Sequence, residues 1–239
     1  MNSHPTEIRA LLFDVFGTCV DWRSGIIREV EAVARRKGVK IDAAAFADAW
    51  RARYQPSMEE VRSGRRPWTV LDILHRESLD ALLPQFGLDM LTEAERADLN
   101  LAWHRLDPWP DTVAGLTRLK TGYIISPLSN GNVALLVDMA KRAGLPWDLV
   151  LSAETSRAYK KLPESYLNAV AMLRLEASQV MMVAAHNDDL EAAASHGLKT
   201  AFVARPTEHG PGQKTDLRAE GPWNVVATDF IDLATKLGV

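Results

Sequence analysis

A chain of 239 residues, 47% hydrophobic and 25% charged, is long enough for one large domain or a core with an insertion, and has the profile of a soluble globule. Its formal charge of −3 offers nothing to a nucleic acid or an anionic membrane, and the short basic runs Arg35-Arg36-Lys37 and Arg62 to Arg66 read as solvated surface. The single cysteine, Cys19, excludes an intrachain disulfide, Met1 to Glu7 is polar, and no apolar run reaches about 18 residues, so a cytoplasmic protein is expected.

The first element is an apolar run, Ile8 to Phe13, read as a strand buried on both faces and ending at Asp14. Gly17 lets the backbone turn sharply after it. Asp21 or Ser24 can cap a helix with Ile26, Ile27, Val30, Val33 and Ala34 on one face, stopped by Gly38. Asp42 opens a second helix with Phe46, Trp50 and Tyr54 at helical spacing, ending near Pro56. Pro67 suits the first turn of a third, which carries Leu71, Leu74 and Ser78. Thr92 to Glu95 has capping-box spacing and opens a fourth, with Leu99 and Trp103. No strand pattern interrupts residues 21–104, and Asp107-Pro108-Trp109-Pro110 closes the stretch stiffly.

The rhythm then alternates. Asp111 is expected to cap a short helix with Leu116 and Leu119. Strands are expected over Tyr123 to Leu128, Leu149 to Leu151, Val180 to Val183, Thr200 to Val203 and Asn224 to Val226. Helices are expected over 133–143, from Pro163, up to Gly197, and from Asp229 to Leu237. The fold class is therefore α/β: a doubly wound, parallel, Rossmann-like sheet (residues 1–20 and 105–239) with an α-helical cap domain (21–104) inserted after the first strand.

Parallel strands gather their carboxyl ends along one sheet edge, where open α/β sheets place their sites. Four such ends here carry polar groups: Asp14, Ser129-Asn130, Lys160, and Asp188-Asp189. Each has an ordinary explanation alone, as a turn, a solvated lysine or a helix cap. Together they put a nucleophile, neutral donors, a fixed cation and a second carboxylate in one crevice.

Phe13-Asp14-Val15-Phe16-Gly17-Thr18, Leu128-Ser129-Asn130-Gly131, Tyr159-Lys160 and Asp188-Asp189, in this order and spacing, resemble the four motifs of the haloacid dehalogenase superfamily. Phosphatases of that superfamily carry a second aspartate two residues after the nucleophile, to protonate the leaving alkoxide. Phe16 stands there and cannot transfer a proton, whereas a halide needs none. The chain therefore resembles the type II, L-2-haloacid dehalogenases. Arg51, after Trp50, falls where those enzymes receive the halide, and Tyr166 follows Lys160 at the family's spacing.

The resemblance implies a metal-independent hydrolase with no cofactor, acting on a small halogenated carboxylic acid such as haloacetate or 2-halopropionate, and a homodimer. Asp14 would displace halide and form an ester, and water would then release the 2-hydroxy acid. Lys160 would hold Asp14 ionised, as an opposite charge within about 4–6 Å does. Ser129 and Asn130 would bind the substrate carboxylate, and Thr18 would hydrogen-bond Asp14. Arg51 would take the halide, Asp189 would position or activate the water, and Phe16 would help exclude bulk solvent. Tyr166 completes the set.

Two departures stand out. Where family members often read Ser-Ser-Asn-x-x-Asp, this chain has Ala184-Ala185-His186-Asn187-Asp188-Asp189, so His186 occupies the asparagine's place, as a hydrogen-bond partner or as packing. Lys161 stands where many relatives have proline. These leave two alternatives: a phosphatase-like hydrolase in which Asp14 and Asp188 or Asp189 hold Mg²⁺, and a catalytically silent member that binds a small carboxylate or a partner protein.

Overall fold

The computed structural model describes residues 7–239. Strand β1 (Ala10–Phe13) is wholly buried, because both faces of the sheet are covered. Leu11 and Phe13 face one apolar core and Ala10 and Leu12 the other, so a continuous apolar run satisfies a strand of period two.

After β1 the chain makes β2 (Val20–Asp21), whose antiparallel partner is β3 (Asp107–Pro108). These two short strands form a neck through which the intervening helices leave and return. The helices are α1 (Trp22–Lys37), α2 (Ala43–Ala52), α3 (Tyr54–Arg62), α4 (Leu71–Leu82) and α5 (Glu93–Asn100). Asp21 caps α1 through the Ser24 N–H, Gly38 ends it in a left-handed conformation, and Thr92 and Glu95 close a capping box on α5.

Two prolines act otherwise than expected. Pro56 does not end a helix: the break falls at Arg53, and Pro56 sits in the first turn of α3, where its missing N–H costs nothing. Pro67 lies in the loop before α4, which starts only at Leu71.

The rest of the chain contributes α6 (Thr112–Leu119), β4 (Ile124–Ser129), α7 (Val133–Ala143), β5 (Leu151–Ser152), the single turn α8 (Ala153–Ser156) and α9 (Pro163–Met172). It continues with β6 (Val180–Ala184), α10 (Asn187–Ser195), β7 (Lys199–Val203), β8 (Val225–Ala227) and α11 (Phe230–Lys236). The six sheet strands are parallel, in the order β5-β4-β1-β6-β7-β8. The chain winds outward on one side of β1 and then on the other, so the crevice falls at the carboxyl end of β1.

Asp111 does not cap α6 with its side chain. Arg205 holds both of its oxygens at 2.8 Å, and the Phe230 N–H donates to one of them. The carboxylate thus ties α6 to the loop after β7 and to α11. Among the described residues no helix is long and apolar enough to cross a membrane.

Candidate active site

Asp14 follows β1 directly, and its N–H donates to the Val183 carbonyl of β6, 3.0 Å away. The Thr18 hydroxyl donates to Asp14 Oδ2 at 2.7 Å and accepts from the Ala185 N–H at 2.9 Å, which ties the carboxylate to the end of β6. Lys160 Nζ lies 3.2 Å from Asp14 Oδ1 and 2.7 Å from Asp189 Oδ2. The Tyr166 hydroxyl donates to Asp189 Oδ1 at 2.6 Å. Opposite the lysine, His186 Nδ1 is 3.1 Å from Asp14 Oδ2, and its Nε2 is 2.9 Å from Glu208 Oε2. Trp22 Nε1 donates to the other Glu208 oxygen at 2.9 Å.

Burial pushes the Asp14 carboxyl up, but the Lys160 ammonium, His186 and the Thr18 hydroxyl more than reverse this and hold it well below the usual carboxylate range. Burial likewise disfavours the Lys160 and His186 cations. Asp189 and Asp14 nevertheless raise Lys160 above its ordinary value, and Glu208 and Asp14 raise His186 well above its own. At neutral pH the cluster therefore holds an anionic Asp14 between two cations.

The peptide of Lys160 is also held. Its N–H donates to Asn130 Oδ1 at 2.9 Å, Asn130 Nδ2 donates to the Tyr54 hydroxyl at 3.1 Å, and Arg62 Nη1 donates to the Lys160 carbonyl at 2.7 Å.

A cavity of about 290 Å³ opens over this cluster. Asp14, Asn130, Lys160, His186 and Asp189 line one side, and Phe16, Arg51 and Tyr54 come from the apolar side. The Arg51 guanidinium carbon lies 4.1 Å from the Tyr54 ring centre, 5.3 Å from Trp22 and 6.0 Å from Phe16. Its Nη1 is buried and has no hydrogen-bond acceptor among the described residues. A cation on π-faces without an acceptor is suited to a small anion that arrives with, or forms from, the ligand.

Of the residues singled out in the sequence, Thr18, Ser129 and Tyr166 are buried and do not line the cavity. Ser129 Oγ accepts from the Gly131 N–H and shapes the turn after β4. Cys19 is buried, its thiol donates to the Asp14 carbonyl, and burial pushes its pKa far up. Asp188 is exposed and paired with Lys161. Sequence reading missed Glu208, which sits in a Gly/Pro-punctuated loop that reads as solvent-facing. It also missed Trp22. The one available signal was Gly17: its φ is +85°, and a Cβ there would collide with the Glu208 carboxylate.

A family model for haloacid dehalogenase-like hydrolases matches residues 8–197. The chain belongs to that family. This haloacid dehalogenase-like hydrolase resembles a solved defluorinating L-2-haloacid dehalogenase with 52% identity and a TM-score of 0.96, over 100% of this chain and 99% of the other. The (S)-2-haloacid dehalogenase of Xanthobacter autotrophicus is 31% identical over 206 residues, 83% of this hydrolase and 76% of its relative. A structure of the L-2-haloacid dehalogenase from that organism with chloropropionic acid covalently bound has 25% identity and a TM-score of 0.79, covering 95% and 97% of the two chains.

Proposed function

We propose that this hydrolase is a 2-haloacid dehalogenase that converts short 2-haloalkanoic acids to 2-hydroxy acids and halide through an ester on Asp14. One observation carries the reading. A carboxylate kept ionised between Lys160 and His186 shares a 290 Å³ cavity with an arginine nitrogen that lacks an acceptor, and Phe16 supplies no proton donor. Phosphate-ester hydrolysis would need such a donor; carbon–halogen displacement does not. The kinship with 2-haloacid dehalogenases, one of them with a covalently bound haloacid, supports the same choice over a phosphatase.

In the first step Asp14 attacks the carbon bearing the halogen while the halide departs toward Arg51. Lys160 and Thr18 orient the attacking carboxylate. Asn130 lines the cavity and offers the substrate carboxylate the Nδ2 hydrogen that it does not give to Tyr54, and Ser129 serves by shaping the turn that presents it. Asp189, with Tyr166 behind it, anchors Lys160. Phe16 and Tyr54 keep bulk water from the reacting carbon. A cytoplasmic setting, expected from the single cysteine and the polar N-terminus, and a homodimer, implied by the resemblance, complete the proposal; light scattering on the purified chain tests the pairing.

The reaction is tested by halide release from chloroacetate and L-2-chloropropionate, with Asp14→Asn as control and fluoroacetate alongside. Release is expected from the wild type and not from the variant. Single turnover in ¹⁸O water is expected to label Asp14 before product. Label appearing first in the hydroxy acid sinks the ester mechanism.

A further inference from the structure

We propose that His186 is the general base that activates water for hydrolysis of the Asp14 ester, and that Glu208 is the residue that positions it. The proposal rests on the ester mechanism above. It reassigns the water-activating role from Asp189, on the following geometry.

Both oxygens of Asp189 are already engaged. Oδ2 is in contact with the Lys160 ammonium at 2.7 Å, and Oδ1 accepts from Tyr166 at 2.6 Å. Taking a proton would cost it the pairing that keeps Lys160 in place.

His186 is placed differently. Its Nε2 is committed to Glu208, which leaves Nδ1 directed at the Asp14 carboxyl, whose carbon is the atom water must attack. Glu208 is 1% exposed and, among the described residues, no lysine or arginine pairs with it; His186 is its near partner, with His209 at 3.6 Å. A buried carboxylate without a partner is costly, so a site that keeps one is built around the imidazole. Trp22 fixes its second oxygen, and Gly17 has no side chain where the carboxylate lies. A carboxylate that fixes the tautomer and rotation of a histidine, leaving the other nitrogen toward the reacting centre, is the arrangement of a general base.

Ester formation itself readies this base. In the free enzyme two anions face His186, Asp14 from β1 and Glu208 from the loop after β7, and they hold the imidazolium against the effect of burial. Arg51 from α2 and His209 act on Glu208, Lys160 acts on Asp14, and Asp188 and Asp189 lie on the helix that His186 precedes. Alkylation of Asp14 removes one of the two anions, so the Nδ1 proton is lost to the cavity water. The water oxygen then bonds to the Asp14 carboxyl carbon and its proton passes to Nδ1. When the bond between that carbon and the ester oxygen breaks, the departing alkoxide takes the proton back from Nδ1. The 2-hydroxy acid leaves with an oxygen that belonged to Asp14. The water oxygen stays in the new Asp14 carboxyl, whose remaining proton passes to Nδ1 and restores the carboxylate and the imidazolium.

The test uses L-2-chloropropionate with His186→Gln and Glu208→Gln. For H186Q, one equivalent of halide per active site is expected at a rate within about tenfold of wild type. Turnover then stalls, and intact-protein mass shows one carboxyethyl group on Asp14, because ester hydrolysis has slowed by about 10²–10⁴-fold. Ester hydrolysis in the wild type should rise with pH through the His186 titration. For E208Q that rise should move to lower pH, since one anion raising the imidazole is gone; a merely structural role would not move it. Turnover by H186Q at the wild-type rate without an adduct overturns the proposal. So does loss of the halide burst in folded H186Q, and so does an unmoved pH limb in E208Q, which also carries the test if H186Q does not fold. Absence of halide release from the wild type instead removes the dehalogenase reading itself.

Discussion

The two sides of the cavity handle charge in opposite ways. On the sheet side Asp14, Lys160, Asp189, His186 and Glu208 form one connected set of alternating charges, each within 3.2 Å of a partner. On the helical side Arg51 rests on aromatic faces, and its Nη1 has no acceptor among the described residues. Behind it His75 stacks on Trp103 at 4.4 Å with neither ring nitrogen hydrogen-bonded, and burial pushes its pKa down to about 3. The proposed roles account for the contrast. On that reading the charge of the nucleophile exists before the substrate arrives and is balanced in advance, whereas the charge of the halide appears only as the bond breaks, so the group proposed to receive it is left unsatisfied until then.

The contrast is broken most severely at Lys160. Lys160→Met leaves Asp14 and Asp189 buried against each other without their cation. Halide release is expected to fall by about 10³-fold or more, and urea unfolding should show a loss of about 3–5 kcal/mol. On the other wall, Arg51→Met should slow single-turnover halide release by about 10²–10³-fold while slowing hydrolysis of a preformed ester far less, through Glu208 alone. Arg51→Lys should recover little, because a compact ammonium does not spread over the Tyr54 and Trp22 faces as the planar guanidinium does. Equal slowing of both steps in R51M would remove the halide role.

A smaller effect sharpens the contrast through stability. His75 is neutral in the fold and takes up a proton near pH 6.5 when unfolded, so it lowers stability as pH falls below 6.5 toward 3. Between pH 7 and pH 5 this amounts to about 2 kcal/mol. His104 has the opposite sign. Although burial opposes it, Asp72 and Asp138 raise its pKa, so its contribution is present at low pH and lost as pH rises. Comparing His75→Phe with wild type isolates the first term: the variant should be the more stable, by a margin that grows on acidification. Smallest is Tyr54→Phe, which removes the acceptor for Asn130 and should cost about 0.5–1.5 kcal/mol of transition-state stabilisation, read as a fall in kcat/KM.

What could be read in the sequence follows from the same division. Asp14, Asn130, Lys160 and Asp189 were legible because each stands at or just beyond the carboxyl end of a patterned strand, and strand order then brings them together. Phe16 was legible as a missing proton donor. Glu208 was not: an acidic residue between Pro206 and Gly210 looks solvated, and nothing local shows that Gly17, nearly two hundred positions earlier, makes room for it. His75 was hidden for the reverse reason, since a lone histidine among charged residues on α4 gives no sign of an aromatic box. The Asp111 side chain was misjudged because its partner, Arg205, lies 94 residues away in the sequence, and a bidentate guanidinium outcompetes a helix N-terminus.

The peptide unit of Lys160 is a junction between two parts of the molecule. Its carbonyl accepts directly from Arg62 of α3, and its N–H donates to Asn130, which follows β4 and in turn donates to Tyr54 of α3. The ammonium is held separately, by Asp14 just after β1 and Asp189 on α10. The inserted helices thus brace the lysine's main chain, while the charge that faces the nucleophile is set without them.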